Sequence, residues 1–201
     1  MSILEENKAV QWFKNAVKKV VSKIPEGMVD VTQSKYPPIG EIGLFKYDPK
    51  WKDDDNVLPY YDVNPLVLIV KFEGPENFFG INLHYIPPPM RKKIIAEMVK
   101  LKKASNGDQR AYIKKVMPLL TAYGDSALFG HTFKHYLSSH VQSKFAIIKP
   151  SYWSVVARLP LQDFKKASQQ QVWNDATKAK TNKARKKWDK VFGIKTKRKK
   201  K

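Results

Sequence analysis

The residues of this chain that could do chemistry are its histidines and clustered carboxylates, and their spacing narrows what that chemistry could be. His131 and His135 have the i,i+4 separation that puts two imidazoles on one helix face, with His140 close behind. A zinc hydrolase motif with this spacing needs Glu directly after the first His, but Thr132 and Phe133 follow here. The chain has no cysteine, so no thiolate completes a ligand set. Asp53-Asp54-Asp55 concentrates negative charge, yet neighbours in an extended loop point apart, and the alternating ligands, central Gly and closing Glu of a calcium loop are missing. Asp62 and Glu73 flank an apolar run as the acids of a metal-dependent nuclease would. The order Lys71-Phe72-Glu73, however, reverses the acid-x-Lys pattern of such sites. No GxxxxGK(S/T), GxGxxG or GxSxG occurs. These patterns predict no catalytic residue, no bound metal and no cofactor, with the histidines at helix surfaces or core edges.

A different chemistry is better represented. Basic and aromatic residues interleave in Lys46-Tyr47, Lys50-Trp51-Lys52, Lys134-His135-Tyr136 and Lys186-Lys187-Trp188. Aromatic faces stack on unpaired bases while lysines meet phosphate. Tyr47 and Tyr136 read as core aromatics with surface lysine neighbours. Trp51 and Trp188 have no apolar periodicity around them and read as contact residues.

The charge is uneven. The chain carries +20 overall, and residues 165–201 hold 15 Lys/Arg against Asp175 and Asp189, so +13 of it lies in the last fifth. So self-repelling a run reads as an interaction tail that binds phosphate by counterion release. Its candidate DNA contacts are Lys178, Lys180, Lys183, Arg185, Lys186, Lys187, Trp188, Lys190, Lys195, Lys197, Arg198, Lys199, Lys200 and Lys201. A secondary basic and aromatic surface is expected from Lys14, Lys18, Lys50, Trp51, Lys52, Arg91, Lys92 and Lys93. A solvated cationic surface with no partner is the plainer alternative for both sets.

These residues need a scaffold. Hydrophobic residues make up 42% of the chain and aromatics 12%, enough for a buried core, which argues against wholesale disorder. The longest uncharged apolar run, Leu66–Val70, is far below the roughly 20 residues that span a bilayer. No secretory signal is expected, and no membrane partner. Ser2 and Glu5 have capping-box spacing, and Val10, Phe13, Val17, Val20, Val21 and Ile24 predict an amphipathic helix within residues 1–27. Residues 28–62 read as irregular apart from a strand-like Glu41–Asp48. Strands are expected over Glu41–Asp48, Leu66–Phe72 and Phe78–Tyr85, linked as an antiparallel meander. Helices are expected over Met90–Lys103, broken at Gly107, over Tyr112–Leu120 with Pro118 limiting or kinking it, and over Phe133–Val141. Phe145–Ile148 and Val155–Leu159 read as short strands, and Leu161–Asn174 as a last helix. The expected architecture is α+β: a small antiparallel sheet flanked by helices over residues 28–176, an N-terminal basic helix over 1–27 and a Lys/Arg-rich tail over 177–201.

One stretch goes beyond composition. Phe45-Lys46-Tyr47-Asp48-Pro49-Lys50, Leu58-Pro59-Tyr60-Tyr61-Asp62-Val63-Asn64-Pro65-Leu66-Val67 and Phe79-Gly80-Ile81-Asn82-Leu83-His84-Tyr85-Ile86-Pro87-Pro88 resemble a module in virion proteins of T4-like tailed phages. The family it resembles most is that of the DNA end protectors. Phe133-Lys134-His135-Tyr136-Leu137 and Val172-Trp173 continue the likeness, which covers roughly residues 40–176. The resemblance implies a non-enzymatic virion protein, present in the host cytoplasm during assembly. It would bind double-stranded DNA without reading sequence, near the packaged genome end in the head–neck region, alongside other neck or tail proteins. A structural neck or baseplate connector, its basic tail docked on acidic protein neighbours, remains the alternative.

Overall fold

A computed structural model describes residues 29–32, 37–74, 76–124, 131–156 and 161–177. The expected N-terminal helix, with Lys14 and Lys18, and the tail from Lys178 onward, with Trp188, lie outside the described residues. The fold is α+β, with eight strands and four α-helices among the described residues. None of those helices is long and apolar enough to cross a membrane.

Six strands form one antiparallel sheet in the order β1-β7-β2-β4-β5-β6. They are β1 (Val29–Thr32), β2 (Ile42–Leu44), β4 (Leu66–Glu73), β5 (Asn77–Asn82), β6 (Phe133–Leu137) and β7 (Phe145–Ile148). The expected meander is present as β2-β4-β5, and β6 extends it. A separate pair joins β3 (Tyr61–Asp62) to β8 (Phe164–Lys165). The apolar run of β4 is unbroken because both of its faces are covered. Leu66, Leu68 and Val70 join one buried cluster, and Val67 and Ile69 join another.

Helix α1 (Pro88–Lys103) begins with proline in its first turn and presses Ile94, Ile95 and Met98 onto the sheet. Gly107 breaks the chain with φ 80°, and Asp108 caps α2 (Gln109–Gly124) by accepting from the backbone N–H of Arg110 and Ala111 at 2.9 and 3.1 Å. Pro118 sits inside α2, which runs past it.

Five local expectations are corrected. The stretch 28–62, read as irregular but for Glu41–Asp48, also contains β1, whose hydrogen bonds come from the distant β7 in the register Val29↔Ile148 to Thr32↔Phe145. Residues 133–141 are not a helix. They form β6 and a single 3-10 turn, Ser138–His140, because pairing with β5 outweighs the local i,i+3 pattern. The strand expected at Phe78–Tyr85 stops at Asn82, whose side chain accepts from the His84 N–H at 3.0 Å and starts a 3-10 turn, Leu83–Tyr85. Instead of a strand from Val155, a one-turn helix α3 (Trp153–Val156) is anchored by the buried Trp153, whose Nε1 donates to Ile148 O at 2.8 Å. The last helix, α4 (Gln169–Thr177), begins only after β8, with the Gln171 N–H donating to Ser168 Oγ at 3.2 Å.

Candidate nucleic-acid interface

A cavity of about 390 Å³ opens on the sheet face turned away from α1 and α2. One wall is the segment from Tyr47 to Asp62, and the other comes from Asn82, Tyr85 and the β6 residues Lys134–Leu137. Two of the basic–aromatic segments, Lys50-Trp51-Lys52 and Lys134-His135-Tyr136, thus meet across one opening although they lie far apart in the chain.

The first wall is built from overlapping turns. Lys52 N donates to Pro49 O at 3.3 Å, Asp54 N to Trp51 O at 3.1 Å and Leu58 N to Asp54 O at 2.8 Å. The three consecutive acids have separate environments: Asp54 accepts from the Asn56 N–H at 3.0 Å, while Asp55 pairs with Lys166. Among the described residues no three acidic or histidine side chains converge as metal ligands. Lys52 pairs with Asp48 at 2.8 Å, which raises its pKa. Lys50 Nζ instead lies 4.9 Å from the Trp51 ring centroid, and Trp51 is 52% exposed at the rim.

The second wall carries Lys134. It sits opposite Gly80 in the β5–β6 register and places its Nζ 4.5 Å from the Tyr85 ring centroid. No carboxylate pairs with it among the described residues, and burial alone pulls its pKa down to about 8. Gly80 is required by close approach, since a Cβ there would meet Val67 Cγ1 at 2.1 Å and Leu68 O at 2.9 Å. Tyr47 and Tyr136 are buried, as expected, within an aromatic cluster, and they also line the cavity. Their ring centroids are 5.1 Å apart and edge-to-face.

Behind the cavity lies a buried polar knot that sequence reasoning missed. Asp62 Oδ1 accepts from the backbone N–H of Asn64 and Asp163, both at 3.2 Å, and Oδ2 accepts from Asn82 Nδ2 at 3.4 Å and lies 2.6 Å from His84 Nδ1. Burial lowers the His84 pKa despite the opposing pull of Asp62, so the ring is neutral and donates its Nδ1 proton to the carboxylate. Arg91, expected on the basic surface, is buried. It donates to Ile86 O at 3.1 Å and His84 O at 3.4 Å. Burial lowers its pKa to about 10, and the Asp62 charge opposes that shift. Its location was legible, because Arg91 shares the i, i+3, i+4, i+7 stripe of Ile94, Ile95 and Met98. Lys92 and Lys93 are exposed on α1.

Helix α4 ties this knot to the start of the tail. Trp173 Nε1 donates to His84 O at 2.9 Å, Tyr60 OH donates to Asp175 Oδ2 at 3.4 Å, and Val172 packs with Tyr60 and Tyr85. The last described helix is therefore seated on Tyr85, one of the four tyrosines that line the cavity.

Asp62 and Glu73 do not converge. Asp62 contacts Asn82 opposite Val67, while Glu73 lies at the far end of β4 opposite Asn77. At about 3.3 Å per residue the two acids are roughly 20 Å apart. Glu73 pairs instead with His135 at 2.9 Å.

No curated protein and no solved structure matches the chain. A family model does, from residue 2 to residue 191, spanning the sheet, the cavity walls, the knot and most of the basic segment. The chain belongs to the family of the phage T4 terminal DNA protecting protein.

Proposed function

We propose that the protein is a non-enzymatic virion protein that binds double-stranded DNA without sequence preference, at or near the packaged genome end in the head–neck region. The observation that carries this reading is the family match through residue 191 on a chain whose residues 165–201 carry +13. The domain organisation proposed is a basic N-terminal helix over 1–27, an α+β body over 28–176 and a tail over 177–201. The tail residues from Lys178 to Lys201 make the phosphate contacts, assisted by Lys50, Trp51 and Lys52 on the body. The separation of Asp62 from Glu73, and the use of both Asp62 oxygens within the fold, support a binding rather than a hydrolytic role.

Salt titration of binding to a linear duplex, read by fluorescence anisotropy, tests this. Log K should fall against log salt by about 0.9 for each phosphate neutralised. Deleting residues 177–201 should remove most of the affinity, and a flat salt response would overturn the proposal. The connector reading rests on Val191, Phe192 and Ile194, a short apolar cluster among lysines suited to docking on a protein. It predicts that the same deletion blocks incorporation into particles while binding to free DNA is little changed.

A further inference from the structure

We propose that the cavity between the Tyr47–Asp62 segment and β6 takes one unpaired nucleotide at a DNA end, its base stacking on Trp51 and its phosphate meeting Lys134 and Lys50. The inference rests on the DNA-binding reading above and assigns the end itself to a site distinct from the basic tail.

Four observations converge on this occupant. The cavity volume, about 390 Å³, is at the lower end of pockets that enclose small organic ligands, about 300–1,000 Å³. A mononucleotide enters such a space and a double helix does not. Tyr47, Tyr61, Tyr85 and Tyr136 line the cavity, but Tyr47, Tyr85 and Tyr136 are themselves buried, so the ring open to a base is that of Trp51, and stacking on an aromatic face is the sequence-tolerant way to hold an unpaired nucleotide. Trp51 stands half exposed at the rim with Lys50 Nζ 4.9 Å from its ring centroid, which puts an accessible aromatic face and a cation side by side where a nucleotide would enter. Finally, Lys134 is a largely desolvated cation set over the Tyr85 ring, with no carboxylate paired to it among the described residues. An entering phosphate would supply the missing counter-charge. Asp62 also borders the cavity, but both its oxygens accept hydrogen bonds within the protein, which limits its repulsion of a phosphate.

The arrangement explains how a sequence-independent binder could tell an end from the middle of a duplex. The tail can engage phosphates anywhere along DNA, whereas a cavity of this size takes a single nucleotide, which leaves the stack at least cost where a strand terminates.

The test uses the full-length protein and two DNAs of equal length: a duplex with a single-nucleotide overhang carrying 2-aminopurine, and a covalently closed dumbbell with 2-aminopurine at an internal position. At about 50 mM salt, binding should quench the unpaired terminal probe and leave the internal one, already dim because it is stacked in the duplex, unchanged. Affinity for the open duplex should exceed that for the dumbbell. Trp51→Ala and Lys134→Gln should each reduce this preference by roughly five-fold or more, the scale of one aromatic–base stack. Lys134→Arg, which keeps the charge, should retain much of it. Tight binding of both DNAs without quenching of the terminal probe would overturn the inference while leaving the DNA-binding reading intact. Failure to bind either DNA would overturn that reading and the inference with it. The quenching measurement needs no variant, so a misfolded mutant cannot obscure the result.

Discussion

The two faces of the six-stranded sheet are built from different chemistry. On one, Ile42, Leu44, Leu66, Leu68, Val70 and Ile81 meet Ile94, Ile95 and Met98 of α1 and Val116 of α2. Branched aliphatic rows receive helices closely, and this face is closed. On the other, Phe45, Tyr47, Phe78, Tyr136 and Phe145 form an edge-to-face and stacked cluster, with Phe45–Phe145 centroids 4.8 Å apart and Phe78–Tyr136 centroids 5.1 Å apart. Large rigid rings packed against turns rather than a long helix leave a space at one end, and Lys134 and Trp51 border it. The aliphatic face holds the fold together; the aromatic face offers a site. The Asp62–His84–Arg91 knot belongs to both, since it borders the cavity and fixes the start of α1.

This comparison can be broken at the knot first. Asp62→Ala strips the buried His84 and Asn82 side chains and two backbone N–H groups of their acceptor, so a loss of about 2–5 kcal/mol is expected in urea denaturation. A loss below about 1 kcal/mol would mean that the knot does not join the two faces. On the closed face, Ile94→Ala should cost about 2–5 kcal/mol with an unchanged m-value, the range for emptying a packed aliphatic site. A value near zero would remove the distinction between the faces.

The third effect is graded with pH. His84 has a folded pKa below its ordinary 6.5, with burial as the cause, so the unfolded chain takes up this proton before the folded one does. Stability from this group is therefore fully present above pH 6.5 and declines as pH falls below it, by at most about 1.4 kcal/mol per pH unit. Melting temperatures between pH 7.5 and 5, together with the His84 nitrogen chemical shifts, check both the slope and its source. A ring that charges at or above pH 6.5 would contradict the neutral assignment. The smallest effect belongs to the cavity rim. Trp51 is half exposed, and Trp51→Ala should change stability by no more than about 0.5 kcal/mol. A larger loss would make Trp51 part of the core and blur the contrast between holding the fold and offering a site.

Much of the scaffold could be read locally. Pro87-Pro88-Pro89 before Ile94, Ile95 and Met98 announces α1, and Gly107 marks its break from α2. The unbroken Leu66–Val70 run signals a strand buried on both faces. The i,i+4 histidines, by contrast, do not share a helix face, because His135 lies in β6 and stacks on Phe79 at 4.5 Å. Phe133, Tyr136, Leu137, His140 and Val141 satisfy a helical spacing as well as a strand, and only the waiting edge of β5 decides between them. Residues Val29–Thr32 are too few to declare themselves; they are a strand because β7 arrives beside them.

The site follows the same division. Composition and order by themselves determined that the chain is basic, that its excess charge is concentrated after residue 164, and that Trp51 and Lys50 sit in a polar loop free to make contacts. Tertiary structure alone decided that Lys134 comes to the same opening, that Asp62 is held by His84 and Asn82, and that Val172 of α4 packs beside Tyr85. The physical reason is one of range. Periodicity and turn chemistry report what a segment buries and where it bends, within a few residues. The partners that strip a lysine of water, or neutralise a buried carboxylate, come from strands and helices whose pairing is settled only when the whole core closes.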